Sequence, residues 1–169
     1  KYLHDDVNVK VSGIQDAQIP NNSQDLVISN VPFGNYKIFD KAFKGEKAEF
    51  QNRIHNYFFA KAVDMAREGG IIAFVTSKGV MDAQGNEALR KYLNDNTEFL
   101  GAVRLPNNAF KNNANTEVVT DIIFLKKNTT GTKNNPDFVS IKQVEATHKD
   151  GEKQMVNVNN YFVENPQNM

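Results

Sequence analysis

The segment Ser29-Asn30-Val31-Pro32-Phe33-Gly34 follows the apolar run Leu26-Val27-Ile28 and sets an amide, a rigid turn and an aromatic ring in consecutive positions. These residue types suit a flat, amino-bearing base. The side-chain oxygen of Asn30 can accept a hydrogen bond from an exocyclic amine, and the Val31 carbonyl can accept a second. Pro32, with its φ fixed by the ring, holds the turn so that both acceptors converge, and Phe33 offers a face for stacking. Two acceptors on one amine draw its nitrogen toward tetrahedral geometry and free its lone pair for attack. No strong base is required. A plain strand followed by a Pro-Gly turn would contain the same residues.

Position decides what such a turn can do, so the elements around it matter. The unalternating run 26–29 predicts a strand buried on both faces of a parallel sheet, whose carboxyl end is where open α/β sheets bind ligands. Alternation over 7–12 predicts a short strand ending near Gly13. A helix is expected over 50–68: Ile54, Phe58, Ala62 and Ala66 recur every four residues, with Phe59 and Val63 beside them. Arg53, Asn56, Asp64 and Arg67 fall opposite, and Gly69-Gly70 is expected to cap the end. Strands at 71–75, 99–104 and 118–125 and a helix at 86–93, with Leu89, Tyr92 and Leu93 inward, complete an α/β domain over 1–127. The stretch 128–136 reads as a loop. Beyond it, 138–144 and 156–158 predict short strands around a turn at Asp150-Gly151, with too few apolar residues for a core of their own. Residues 128–169 are therefore expected to be an extension packed on the main domain or leading to a further one.

The ordered motifs resemble a known family. Residues 25–34 resemble motif IV of the amino-methyltransferases, Asp/Asn/Ser-Pro-Pro-Tyr/Phe. Gly69-Gly70-Ile71-Ile72-Ala73-Phe74-Val75-Thr76 is similar to a core strand of the DNA adenine-N6 methyltransferases. Residues 101–110, containing Val103-Arg104-Leu105-Pro106 and Phe110, resemble their Val-x-Leu-Pro-x-x-x-Phe segment, and 116–127 the strand after it. The nearest likeness is to methylation subunits of type I restriction-modification systems and to helicase–methylases of mobile elements, over roughly 9–127.

The resemblance implies a Rossmann-like fold dependent on S-adenosylmethionine, here partial and lacking the first strands. It also implies methyl transfer to N6 of an adenine swung out of duplex DNA. Asn30 and the Val31 carbonyl would orient the amine, Pro32 would shape the turn and Phe33 would stack. Two departures stand out. Val31 replaces the usual proline, supplying the same carbonyl with less rigidity. The family's Gly-rich cofactor loop, which precedes motif IV, is not among these residues, so the chain is expected to be a piece of a longer polypeptide and inactive alone. Gly13-Ile14-Gln15-Asp16 looks like the family's third motif, in which Gln15 or Asp16 would contact the cofactor's adenine; a solvated turn fits equally. Two other outcomes stay open: a methyltransferase acting on RNA or protein glutamine, and a degenerate fold kept for DNA binding or scaffolding.

Weaker candidates surround the turn. Lys37, Lys41 and Lys44, with Lys47, alternate with Phe39, Phe43 and Phe50, a pattern that can hold a nucleic-acid strand. A lid, or an amphipathic helix burying Phe39 and Phe43, explains it as well. Lys111, in the 107–117 loop, stands where the family's active-site rim would lie and would meet DNA or the flipped base; an ordinary hairpin loop explains it equally. His55 reads as a surface or half-buried residue.

Composition narrows the remaining classes. Twenty Lys+Arg balance twenty Asp+Glu, so any grip on DNA must come from a local patch or from further domains, a specificity subunit or a helicase component. The absence of cysteine removes disulfides and thiolate chemistry. Three scattered histidines and the isolated Asp5-Asp6 pair predict no metal site. No apolar run approaches the roughly 20 residues that span a bilayer, and a cytoplasmic location is expected.

Overall fold

A computed structural model describes residues 7, 9–106, 119–129, 134–147 and 151–169. The 107–117 loop with Lys111, and Asp150 of the expected turn, lie outside the described residues.

Four strands form the main sheet: β1 Gln24–Asn30, β2 Ala66–Ser77, β3 Thr97–Leu105 and β4 Thr120–Lys127. Their order is β1-β2-β4-β3. β1 runs parallel to β2, and β4 pairs antiparallel with both β2 and β3. The sheet is therefore mixed, with one reversed strand between two that share a direction. The fold is α/β and partial Rossmann-like. Helices α1 Ile54–Met65 and α3 Glu87–Asn96 join consecutive strands, with the single turn α2 Gly79–Asp82 leading into α3.

Apolar spacing along the helices places the core. Ile54, Phe59, Ala62 and Val63 of α1 and Leu89, Tyr92 and Leu93 of α3 are buried together with Ile72, Phe74, Phe99, Ile123 and Leu125 of the sheet. Phe59 meets Phe74 edge-on at 5.0 Å, as aromatic quadrupoles prefer.

Among the described residues, no element packs on the opposite face of the sheet. Cross-strand partners Ile28, Ala73 and Phe124 form one row and Asn30, Val75, Ile122 and Val103 the next. Leu26 is 54% exposed and Ile28 72%, with Val103 and Phe124 also exposed. The expectation that β1 is buried on both faces is thus corrected. It is an edge strand, and no described element covers its second face.

Four further expectations change. Described residues 7 and 9–12 form no strand. The expected 50–68 helix is shorter: a 3-10 segment Gly45–Asn52 precedes it, Ala66 is its C-cap, and β2 starts there. Gly69-Gly70 does not cap a helix. The register with β1 jumps from Gln24↔Ala66 to Leu26↔Ile71, so residues 67–70 bulge out of the sheet. Gly69 takes φ +72°, and a Cβ on Gly70 would stand 2.7 Å from the Gln24 carbonyl oxygen. The bulge needs both glycines. Asn56, read as outward, is buried.

The tail forms α4 Pro136–Val139, an antiparallel hairpin of β5 Ile141–Thr147 and β6 Lys153–Asn159, and α5 Asn160–Glu164. The strand expected from 138 starts later because the Asn135 side chain accepts from the N–H groups of Asp137 and Phe138 and Pro136 sits at the first helical position. Phe138 stacks on Phe99 at 4.3 Å, and Phe138 and Phe162 are fully buried in the core cluster of the main sheet. Arg90, 1% exposed, donates to the Val139, Val80 and Ala83 carbonyls.

Candidate functional site

The turn that follows β1 is anchored on its inner side. The Val31 N–H donates to the Val75 carbonyl at 2.9 Å, continuing the parallel ladder one residue past Asn30, and its side chain is 1% exposed. A proline there could not make that bond. Hydrogen bonding and packing thus hold Val31 in place of ring rigidity. Alternation along the strand turns Asn30 the other way, onto the face that no described element covers, where its amide is exposed.

The segment after the turn is not helical, so the helix expected to bury Phe39 with Phe43 is not formed; Phe39 is 77% exposed. A buried polar cluster pins this segment to α1 instead. Asp40 accepts from the Tyr57 hydroxyl at 2.7 Å, the Lys61 ammonium at 3.1 Å and the Ala42 N–H at 2.8 Å. Burial alone would raise the Asp40 pKa, but these three donors together hold it below the ordinary carboxylate value. Burial, and then the bond to Asp40, push the Tyr57 hydroxyl well above its usual range. Phe43 packs on the Tyr57 ring at 4.7 Å. Lys47 is taken up by Asp64 at 2.6 Å, whereas Lys37, Lys41 and Lys44 point into solvent.

Phe33 is 43% exposed and lines a cavity of about 410 Å³ with Gly34, Asn35, Arg53, His55, Ser77, Gly79, Ala83 and Asn86. The cavity lies between the carboxyl ends of the parallel strands β1 and β2, the position that open sheets use for ligands. Asn30 is not in its wall, and neither are Gln15 and Asp16. The sequence reading missed Arg53, Ser77 and Asn86 as cavity residues, having set Arg53 on the outer side of a helix. The structure places it one residue before α1, at the N-cap. Burial, then the charge of Arg53, lower the His55 pKa, so the imidazole is neutral at pH 7.

Gln15 and Asp16 occupy a turn closed by the Asp16 N–H donating to the Gly13 carbonyl, and the Gln15 amide donates to the exposed Asp16 carboxylate at 2.9 Å. This amide–carboxylate pair suits one polar edge of an adenine. Among the described residues, no cluster of His, Cys, Asp and Glu could hold a metal ion, and no helix is long and apolar enough to cross a membrane.

Across the sheet, Arg104 forms a bidentate pair with Asp121, at 2.8 and 2.9 Å, and reaches Asp82 at 2.9 Å. Asp82 also accepts from the Asn159 N–H, and the guanidinium lies 4.3 Å over the Phe162 ring. Burial pushes Asp121 up, while its two carboxylate partners raise Arg104 despite burial. The fork-to-fork geometry requires an ionised pair at neutral pH. This cluster fastens the tail beside the carboxyl end of β2.

The sequence profile of the N-6 DNA Methylase family matches residues 3–163, nearly the whole chain. This chain belongs to that family. A relative, "Defense against restriction protein B" of Escherichia phage P1, is 31% identical over 130 residues, covering 74% of this chain and 6% of that protein. Solved structures share the fold. A protein from Listeria monocytogenes assigned to the class I S-adenosylmethionine-dependent methyltransferases superposes with TM-score 0.54 at 22% identity, over 70% of this chain and 36% of that one. The M protein of the type I restriction enzyme EcoKI gives TM-score 0.55 at 20% identity, over 76% of this chain and 28% of that one. The chain thus spans well under half of each relative.

Proposed function

We propose that this N-6 DNA methylase chain forms the base-handling part of an enzyme that moves a methyl group from S-adenosylmethionine to N6 of an adenine extruded from DNA. The observation that carries the reading is the turn after β1, anchored by Val31 and opening at Phe33 into a cavity at the strand ends. Phe33 would stack on the base. The Asn30 side-chain oxygen and the Val31 carbonyl would accept from the amine, fixing its orientation and leaving its lone pair free. Pro32 would set the angle between the two acceptors. Gln15 and Asp16 would hold one edge of the cofactor's adenine. The cofactor, when bound, supplies an electrophilic methyl group. Lys37, Lys41, Lys44 and Lys111 would meet the DNA backbone, with further domains or subunits supplying the rest of the grip.

The test is incorporation of labelled methyl into duplex DNA by a polypeptide that joins this chain to a Gly-rich cofactor loop, with the product nucleoside identified by mass spectrometry. N6-methyladenine is expected. Methyl groups found only on RNA or on protein glutamine would move the chain to another substrate class.

Two binding results follow. Phe33→Ala weakens capture of the extruded base by roughly 1–3 kcal/mol, while Phe33→Tyr is nearly silent. A 2-aminopurine at the target position reports extrusion as a rise in fluorescence; an undiminished rise in the alanine variant would make Phe33 a mere turn residue. The 169-residue chain alone binds S-adenosylmethionine no tighter than about millimolar, or roughly 4 kcal/mol, because one adenine edge cannot offset the entropy of binding. Calorimetry giving a micromolar constant would place the cofactor site within these residues and overturn the motif assignment.

A further inference from the structure

Among the described residues, the cavity beside Phe33 holds one cationic side chain, Arg53, and no carboxylate. Arg53 is half-buried, and Asn86, 1% exposed, holds it in place. The Asn86 oxygen accepts from Arg53 Nη1 at 2.8 Å and from the Asn56 amide at 3.1 Å, and its nitrogen donates to the Gly79 carbonyl at 2.7 Å. One buried amide thus fixes both the guanidinium and the start of α2. The bond uses one of the five guanidinium N–H groups. Glu49 shares an adjoining depression of about 220 Å³ with Arg53, but forms no ion pair with it among the described residues. A Cβ on Gly85 would come 3.2 Å from Nη2, so the glycine leaves that edge of the fork uncrowded on the side of the adjoining depression.

We propose that Arg53 binds a phosphate flanking the nucleotide whose base enters the Phe33 cavity. The inference rests on the nucleic-acid reading of that cavity and deepens it. A nucleotide is a flat ring joined to an anion. The cavity wall offers an aromatic face for the ring and a fixed fork of donors for the anion. The planar guanidinium matches two phosphate oxygens at once, and orientation by Asn86 removes much of the rotamer entropy such a contact would otherwise cost. A structural arginine would be expected to meet a carboxylate or several carbonyls, as Arg104 and Arg90 do in this same chain. Arg53 meets one amide oxygen and faces a cavity.

The experiment is the salt dependence of binding to a fluorescein-labelled duplex containing a mismatched adenine, read by anisotropy with the 169-residue chain. Arg53→Gln should lower the slope of log K against log salt by about 0.9, the value of one neutralised phosphate in B-DNA. Arg53→Lys should keep the slope. Uncharged methylphosphonates on either side of the adenine should weaken the wild type as Arg53→Gln does, with little further loss when the two are combined. The methylphosphonate comparison in the wild type stands even if Arg53→Gln fails to fold. Retained binding with an unchanged slope, or losses that simply add, would overturn the inference while leaving the methyltransferase reading intact. A wild-type chain that binds no DNA would overturn the inference, and N6-methyladenine formation by the longer polypeptide then decides the methyltransferase reading separately.

Discussion

Asn30→Ala lowers single-turnover methylation by on the order of 10²-fold or more in a polypeptide that joins this chain to a cofactor loop, with modest change in DNA affinity. The amine in the ground state is planar and can satisfy its hydrogens elsewhere, whereas the developing tetrahedral nitrogen needs both acceptors aimed at it. An interaction made fully only in the transition state appears in turnover, not in binding. Removal of one such preorganised partner typically costs about 10²–10³-fold. The Asn30 side chain is exposed among the described residues, and urea midpoints of both proteins report any loss of stability on substitution. Activity loss can therefore be separated from unfolding. Single-turnover rates on duplex DNA for both proteins provide the check; equal rates would remove Asn30 from the mechanism.

Arg104→Met is expected to destabilise the chain by about 3–5 kcal/mol, a large part of a total on the order of 10 kcal/mol. The loss comes less from the pair itself than from what remains. Asp121 is fully buried and Asp82 nearly so, and both lose the guanidinium they share, leaving Asp121 only the weaker, more distant charge of Lys78. The pH dependence has a definite sign. Burial already pushes Asp121 up, and removal of the guanidinium raises it further. The folded variant then binds a proton more tightly than the unfolded chain, so its deficit shrinks as pH falls toward the unfolded value of about 4 and is fully felt above the folded value. Arg104→Met combined with Asp121→Asn should recover part of the loss at neutral pH. Urea midpoints at pH 5 and pH 8 give the measurement. A deficit independent of pH, with no recovery in the double variant, would show that Arg104 acts through packing on Phe162 alone.

Particular residues show where sequence reasoning carried and where it stopped. Leu26-Val27-Ile28-Ser29 identified β1, and its carboxyl end identified the turn, because a short unbroken apolar run between turn residues is a local signal. The same run could not reveal that Leu26 and Ile28 face outward. Burial depends on which elements cover a strand, and that is a matter of distant chain. Gly69-Gly70 was recognised as a break, but a helix cap and a bulge both call for glycine. Only the pairing of Gln24 with Ala66 and Leu26 with Ile71 distinguishes them.

The site divides along the same line. The type and order of Asn30, Val31, Pro32 and Phe33 were enough by themselves to propose the amine chemistry, because four adjacent residues on one turn are held together by covalent geometry. The sequence likewise determined the family, since its motifs are contiguous. Arg53 and Asn86 stand 33 residues apart, and no periodicity links them. Their meeting was decided by the packing of α1 against the turn before α3, which brings an N-cap arginine to a buried amide at the mouth of a cavity. The same holds for Arg104, Asp121 and Asp82. Each reads alone as an ordinary charge; the pairing of β3 with β4 sets Arg104 against Asp121, and the turn α2 brings in Asp82, making one cluster whose members cannot be removed singly.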